Sequence, residues 1–123
     1  MKKRILVVDE VELNVDLLVQ LLEDEFEVLV ATDGKSAISM AEQERPDLIL
    51  MDLSLPVIDG WEATRRIKAN QQLKNIPIIA LTARTMKGDE DRAMASGCDG
   101  WLVKPLNEDL LFEALARWLD NSE

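Results

Sequence analysis

The 123-residue sequence predicts one α/β domain, a doubly wound parallel sheet of five strands with helices on both faces. Two observations carry this. Five short apolar runs, bounded by turn residues, alternate with five segments of helical periodicity. The length fits one hydrophobic core, and no linker, repeat or low-complexity segment interrupts it.

The elements follow in order. "RILVV" (4–8) is the first strand, and "VELNVDLLVQLLEDE" after it places Leu13, Leu17, Leu18, Leu21 and Leu22 at helical spacing. "EVLVA" (27–31) leads into the turn signal Asp33-Gly34 and then "KSAISMAEQE", where Ala37, Ile38 and Ala41 form one face. "DLILMD" (47–52) runs into a loop with Pro56 and Asp59-Gly60, followed by the helix "WEATRRIKAN". "IPIIALTA" (76–83) precedes a fourth helix through "KGDEDRAMAS", stopped by Gly97. "GWLV" (100–103) precedes Lys104-Pro105, and Asn107 caps the fifth helix, "EDLLFEALARWL".

Composition excludes several classes. Hydrophobic residues make up 47% and charged residues 31%, an ordinary globular profile. No apolar run approaches the ~20 residues of a membrane helix. "MKKRILVVDE" meets acidic residues too soon for a signal peptide, which places the chain in the cytoplasm. Cys98 is the only cysteine, so no internal disulfide forms, and with no basic neighbour in sequence it reads as a small packed residue. The absence of histidine excludes histidine acid–base chemistry, histidine metal ligands and a phosphohistidine relay role. A net charge of -10 repels nucleic acid and suits a basic partner or a cation held among carboxylates.

One residue breaks the apolar pattern. In "PDLILMDLSLPVIDG" (46–60), Asp52 interrupts a hydrocarbon run. A carboxylate inside a buried strand costs several kcal/mol or so, unless it is paired or lies at the strand's wet end. Open parallel sheets bind ligands beyond the carboxyl ends of their strands. There the sequence delivers Asp9-Glu10, Asp52, Thr82-Ala83 and Lys104. Three carboxylates in one pocket call for a hard divalent cation, and Mg²⁺ takes one or two carboxylates while keeping waters. Lys104 supplies a positive charge and Thr82 a hydroxyl. The set matches phosphoryl transfer, in which an aspartate can be the nucleophile.

These motifs resemble the receiver domain of two-component response regulators, with its chemotaxis-regulator-like fold. "ILVVDE" resembles the acidic pair after the first strand, "LILMDLSLPVIDG" the phospho-acceptor strand and loop, "IIALTA" the hydroxyl residue, and "VKP" the lysine with its proline. The match spans essentially the whole chain, residues 1–123, with no output domain. The resemblance implies the flavodoxin-like strand order 2-1-3-4-5. It implies Asp52 as phospho-acceptor, and Mg²⁺ held by Asp9, Glu10, Asp52 and the backbone carbonyl of Ser54. Thr82 and Lys104 would contact the phosphoryl group, and Lys104-Pro105 would be cis. It implies a histidine kinase or histidine phosphotransfer protein as donor. A downstream protein would dock on the face of helix 4, strand 5 and helix 5. The chain would be a phosphorylation switch rather than an enzyme, and a monomer, because the acidic and basic set of the transcription-factor dimers is missing.

The sequence departs from the family in places. The acidic pair is Asp-Glu, so Glu10 reaches an ion directly or through water. Trp101 stands where Tyr or Phe is usual; it is either a static packed residue or a modified switch working with Thr82. Trp61 and Trp118 read as packing or partner surface. Ser54 and Arg84 pull phosphoryl lifetime in opposite directions. The charge run 87–92 reads as a solvated helix face. The alternatives are a pseudo-receiver that is never phosphorylated, supported by Glu10 and Trp101, and a receiver belonging to a longer hybrid kinase. A haloacid-dehalogenase-like phosphatase would need an aspartate at position 54 and a cap domain. A flavodoxin-like carrier would need a Ser/Thr/Gly-rich phosphate cradle.

Overall fold

The computed structural model describes residues 2–53, 60–82, 97–103 and 107–120. In chain order the elements are β1 (Arg4–Val8), α1 (Glu12–Leu22), β2 (Glu27–Ala31), α2 (Gly34–Glu44), β3 (Leu48–Asp52), α3 (Gly60–Ala69), β4 (Ile78–Thr82), β5 (Gly100–Val103) and α4 (Glu108–Asp120). The helix expected over 87–96 lies outside the described residues, so α4 is the fifth helical segment of the sequence. The five strands pair in parallel in the order β2-β1-β3-β4-β5, as the resemblance implies.

Apart from one end residue each (Arg4, Asp52 and Thr82), the three central strands are apolar because both of their faces are covered. Successive side chains alternate between faces. Leu6, Val8, Ile49, Met51, Ile78 and Ala80 face one way and pack with Ala37 and Ala41 of α2 and Ala63 and Ile67 of α3. Ile5, Val7, Leu48, Leu50, Ile79 and Leu81 face the other way and meet Leu18 and Leu22 of α1 and Leu111, Leu115 and Leu119 of α4. The small alanines of α2 and α3 let those helices sit close to the sheet, while leucines fill the opposite side. Cys98 is 3% exposed within the α2–α3 layer, a packed residue as its sequence context predicts.

Local chemistry sets the helix ends. Asp33 caps α2, its carboxylate accepting the Ser36 N–H at 2.7 Å, a bond that holds the carboxyl below its ordinary value. Arg45 closes α2 in the left-handed region at φ 45°. Asn107 caps α4 through the Leu110 N–H at 3.1 Å. β4 begins two residues later than the run 76–83 suggests. The Ile76 N–H is taken by Leu73 O at 3.0 Å in the preceding turn, and Pro77 has no N–H to give.

α1 differs from its pattern more sharply. Val15, Leu18 and Leu22 face the sheet, so Leu13 is left 79% and Leu17 53% exposed. The apolar stripe of this helix is wider than the face it buries.

One polar link ties α3 to the sheet beyond its apolar face. Lys68 Nζ donates to Asp99 Oδ2 at 2.7 Å and to the Ile76 carbonyl at 2.8 Å, and Asp99 Oδ2 also accepts the Ile78 N–H at 2.8 Å. Asp99→Ala would strand the Ile78 N–H and leave the Lys68 ammonium with carbonyl acceptors but no counter-charge in a partly buried place. We expect a loss of about 2 kcal/mol in urea unfolding. A change within about 0.5 kcal/mol would show that water replaces the carboxylate.

Candidate functional site

The site is built by strand register. β1 and β3 pair with Val8 opposite Met51, so the next residues, Asp9 and Asp52, emerge side by side at the carboxyl ends of two central strands. Asp52 lies opposite Leu81 of β4, and Thr82 follows at the end of that strand. Thr82 in turn lies opposite Val103, the last residue of β5. Asp9, Asp52 and Thr82 thus share one edge of the sheet, as their strand-end positions predict. Ser54, Arg84, Lys104 and Pro105 lie outside the described residues.

Both aspartates are buried, Asp9 at 0% and Asp52 at 5% exposure. The Asp9 N–H donates to the Ala31 carbonyl at 3.2 Å, which ties the residue to β2. Its Oδ1 accepts the Val11 N–H at 2.9 Å, a turn that swings the chain from β1 into α1. Glu10, by contrast, is exposed. Among the described residues no three acidic or sulfur side chains are gathered into a metal-holding group. The donor set in view is therefore the aspartate pair. Two carboxylates buried side by side repel each other, and a hard cation with oxygen ligands relieves that repulsion. Mg²⁺ is held by one or two carboxylates and keeps the rest of its water shell, so this pair fits it.

Trp101 lies opposite Ala80 in β5 and packs, half-buried, against the α2–α3 layer. Trp61 packs against the same layer and Trp118 against the opposite one, the packing half of the packing-or-partner-surface expectation. Trp101, Leu102, Leu110, Arg117 and Trp118 line a cleft of about 340 Å³ between β5 and α4, where the Arg117 guanidinium lies 5.7 Å from the Trp118 ring centre.

Residues 5–116 match the family model of the response regulator receiver domain. The chain belongs to that family. The receiver domain is also 37% identical to the polar-differentiation response regulator DivK of Brucella anthropi, over 99% of this chain and the whole of that protein. Among solved structures it resembles the receiver domain of the sensor histidine kinase PA1611 from Pseudomonas aeruginosa. The TM-score is 0.91, with 36% identity over 98% of this chain and 99% of that one. That structure holds a magnesium ion in its active-site cleft. The receiver domain of Ssk1 from Saccharomyces cerevisiae, crystallised with the histidine phosphotransfer protein Ypd1, also matches. There the TM-score is 0.92, with 28% identity over 98% of this chain and 91% of that one.

Sequence reasoning missed one surface feature of the receiver domain. Leu13 and Leu17, one turn apart on α1, form an exposed apolar strip, and Val11 just before the helix is exposed too. Helical spacing marks the leucines as a stripe, but no local signal tells that the sheet leaves part of the stripe uncovered. Among the described residues no helix is long and apolar enough to cross a membrane.

Proposed function

We propose that this receiver domain is a phosphorylation switch whose acceptor is Asp52. The burial of Asp52 beside Asp9 at the strand ends carries the reading, because burying two adjacent carboxylates is costly and a bound cation offsets their charge. A carboxylate oxygen of Asp52 attacks the phosphorus of a phosphohistidine on a histidine kinase or phosphotransfer protein. The P–O bond forms, the P–N bond breaks, and the imidazole leaves. Asp9, Asp52, the Ser54 backbone carbonyl and Glu10, directly or through water, would hold Mg²⁺. When bound, the ion offsets negative charge on the transferring group. Thr82 and Lys104 would hydrogen-bond the phosphoryl oxygens. The crystallised pairing of another receiver with a phosphotransfer protein supports this class of donor.

The product stays on the chain, so the domain works as a switch rather than a turnover enzyme. Output passes by protein contact from a monomer in the cytoplasm, through the face of helix 4, strand 5 and helix 5 of the sequence. The β5–α4 cleft and the exposed Leu110 on that side support such docking. Intact-mass spectrometry after incubation with acetyl phosphate and Mg²⁺ tests the acceptor. We expect a gain of one phosphoryl group, lost with EDTA. No gain, with no Mg²⁺ binding by calorimetry, would favour the pseudo-receiver.

Two variants separate input from output. A donor must approach the rim over its surroundings, and Val11 and Leu13 are exposed apolar residues two and four positions after Asp9. Leu13→Glu is expected to slow labelling by a phosphotransfer protein about tenfold, the size of one lost docking contact. Labelling by acetyl phosphate should be unchanged; an equal fall in both rates would remove the docking role. Thr82→Ala should still be labelled but should lose phosphorylation-dependent partner binding. A phosphoryl group shifts the output face only by its preference for the active arrangement. Intact phosphorylation-dependent binding in Thr82→Ala would exclude Thr82 as the carrier of that preference.

A further inference from the structure

We infer that Gly60, the first residue of α3, is a positioning residue for Asp52, an inference that rests on the phospho-acceptor reading above. Gly60 is buried, and its N–H donates to the Leu53 carbonyl at 3.2 Å. A Cβ built on it would lie 2.6 Å from the Leu53 Cα and 2.9 Å from the Asp52 carbonyl carbon, and closer still to the Asp52 carbonyl oxygen. Every one of these atoms is backbone, so no rotamer change makes room. Gly97 and Gly100 differ: a Cβ at either would meet the side chains of Lys68, or of Ile79 and Trp118. The start of α3 therefore sits directly on the peptide that joins Asp52 to Leu53.

β4 flanks that peptide through the Asp52–Leu81 pairing and the Leu53 N–H bond to Leu81 O at 3.1 Å, and β1 pairs with β3 as far as Met51, the residue just before it. With β4 on one side and the helix end pressed on its backbone, the peptide is held at the height at which Asp52 leaves the sheet, which also sets the spacing of the carboxyl group from Asp9. A methyl at position 60 forces a shift on the order of 1 Å, and misplacement of that size in a reacting group can slow chemistry about 100-fold. Gly60 touches neither donor nor phosphoryl group; it acts through the backbone of Asp52.

The test compares wild type, Gly60→Ala and Ala63→Gly in acetyl phosphate labelling with Mg²⁺, Mg²⁺ calorimetry and urea unfolding. Ala63 is a buried α3 residue whose truncation loosens the same helix without pressing on Asp52. Gly60→Ala is expected to label about 10- to 100-fold more slowly and to bind Mg²⁺ more weakly. Ala63→Gly should be destabilised yet label at the wild-type rate. Wild-type labelling together with wild-type rate and affinity in folded Gly60→Ala would overturn this inference alone. An unlabelled wild type would overturn the acceptor reading and this inference with it. Should Gly60→Ala not fold, hydrogen exchange of the Gly60 amide in wild type decides. At least tenfold added protection with Mg²⁺ and beryllofluoride, a phosphoryl mimic, supports the coupling; unchanged protection overturns it.

Discussion

Asp52→Asn is expected to abolish the phosphoryl mass gain from acetyl phosphate and Mg²⁺, and to raise the melting temperature measured without Mg²⁺. The amide is nearly the same size as the carboxylate, so the packing around a side chain only 5% exposed is kept. It is not a competent nucleophile, which removes labelling outright. It also removes one of two like charges buried side by side, which stabilises the fold. Mg²⁺ should then act unequally on the two proteins. At a concentration of 100 times its Kd, an ion that binds only the folded state stabilises by about 2.7 kcal/mol. Wild type should show that gain as several degrees in melting temperature, and Asp52→Asn should lose most of it. Labelling of Asp52→Asn at the wild-type level would place the acceptor elsewhere. An equal Mg²⁺ effect on both proteins would place the ion away from Asp52.

Leu50→Ala is expected to cause the largest loss of stability among single truncations discussed for this chain, about 2–5 kcal/mol. Leu50 is fully buried in β3, the middle strand, and packs in the layer shared by α1 and α4. The strand is hydrogen-bonded on both sides, so the backbone cannot collapse into the space left behind. Domains of this kind have roughly 5–15 kcal/mol in total, so the urea midpoint should fall by about 1–2 M. Leu13→Ala is the internal comparison: the same chemical change at a side chain 79% exposed should stay within about 0.5 kcal/mol. Similar losses at both positions would mean that α1 is seated differently on the sheet.

Those two leucines show why legibility was uneven. Leu13 and Leu50 are equally apolar, and helical spacing alone gives Leu13 the same standing as Leu18. Whether a leucine is buried depends on which part of the helix meets the sheet, and that follows from the connections on either side of the helix. Here the turn closed by Asp9 Oδ1 and the Val11 N–H precedes α1, and the side chains of Val15, Leu18 and Leu22 point inward. The strands were far more legible. A run such as "LILM" is apolar because both faces are covered, and a two-residue alternation leaves little freedom in what it can become.

The same divide runs through the site. Strand ends are local facts, so the sequence alone placed Asp9, Asp52 and Thr82 at a polar rim and excluded histidine chemistry. It also carried the motifs that mark a receiver domain. Periodicity and turn chemistry act over a few residues, and a single chain displays them directly. Only the tertiary structure decided that Asp9 and Asp52 are neighbours, because adjacency depends on β1 pairing with β3 across a long crossover. It also separated the buried pair from exposed Glu10, left the α1 strip uncovered, and seated Gly60 on the Asp52 peptide. Each of these is a contact between residues far apart in sequence, set by how helices and strands pack rather than by what any one segment prefers.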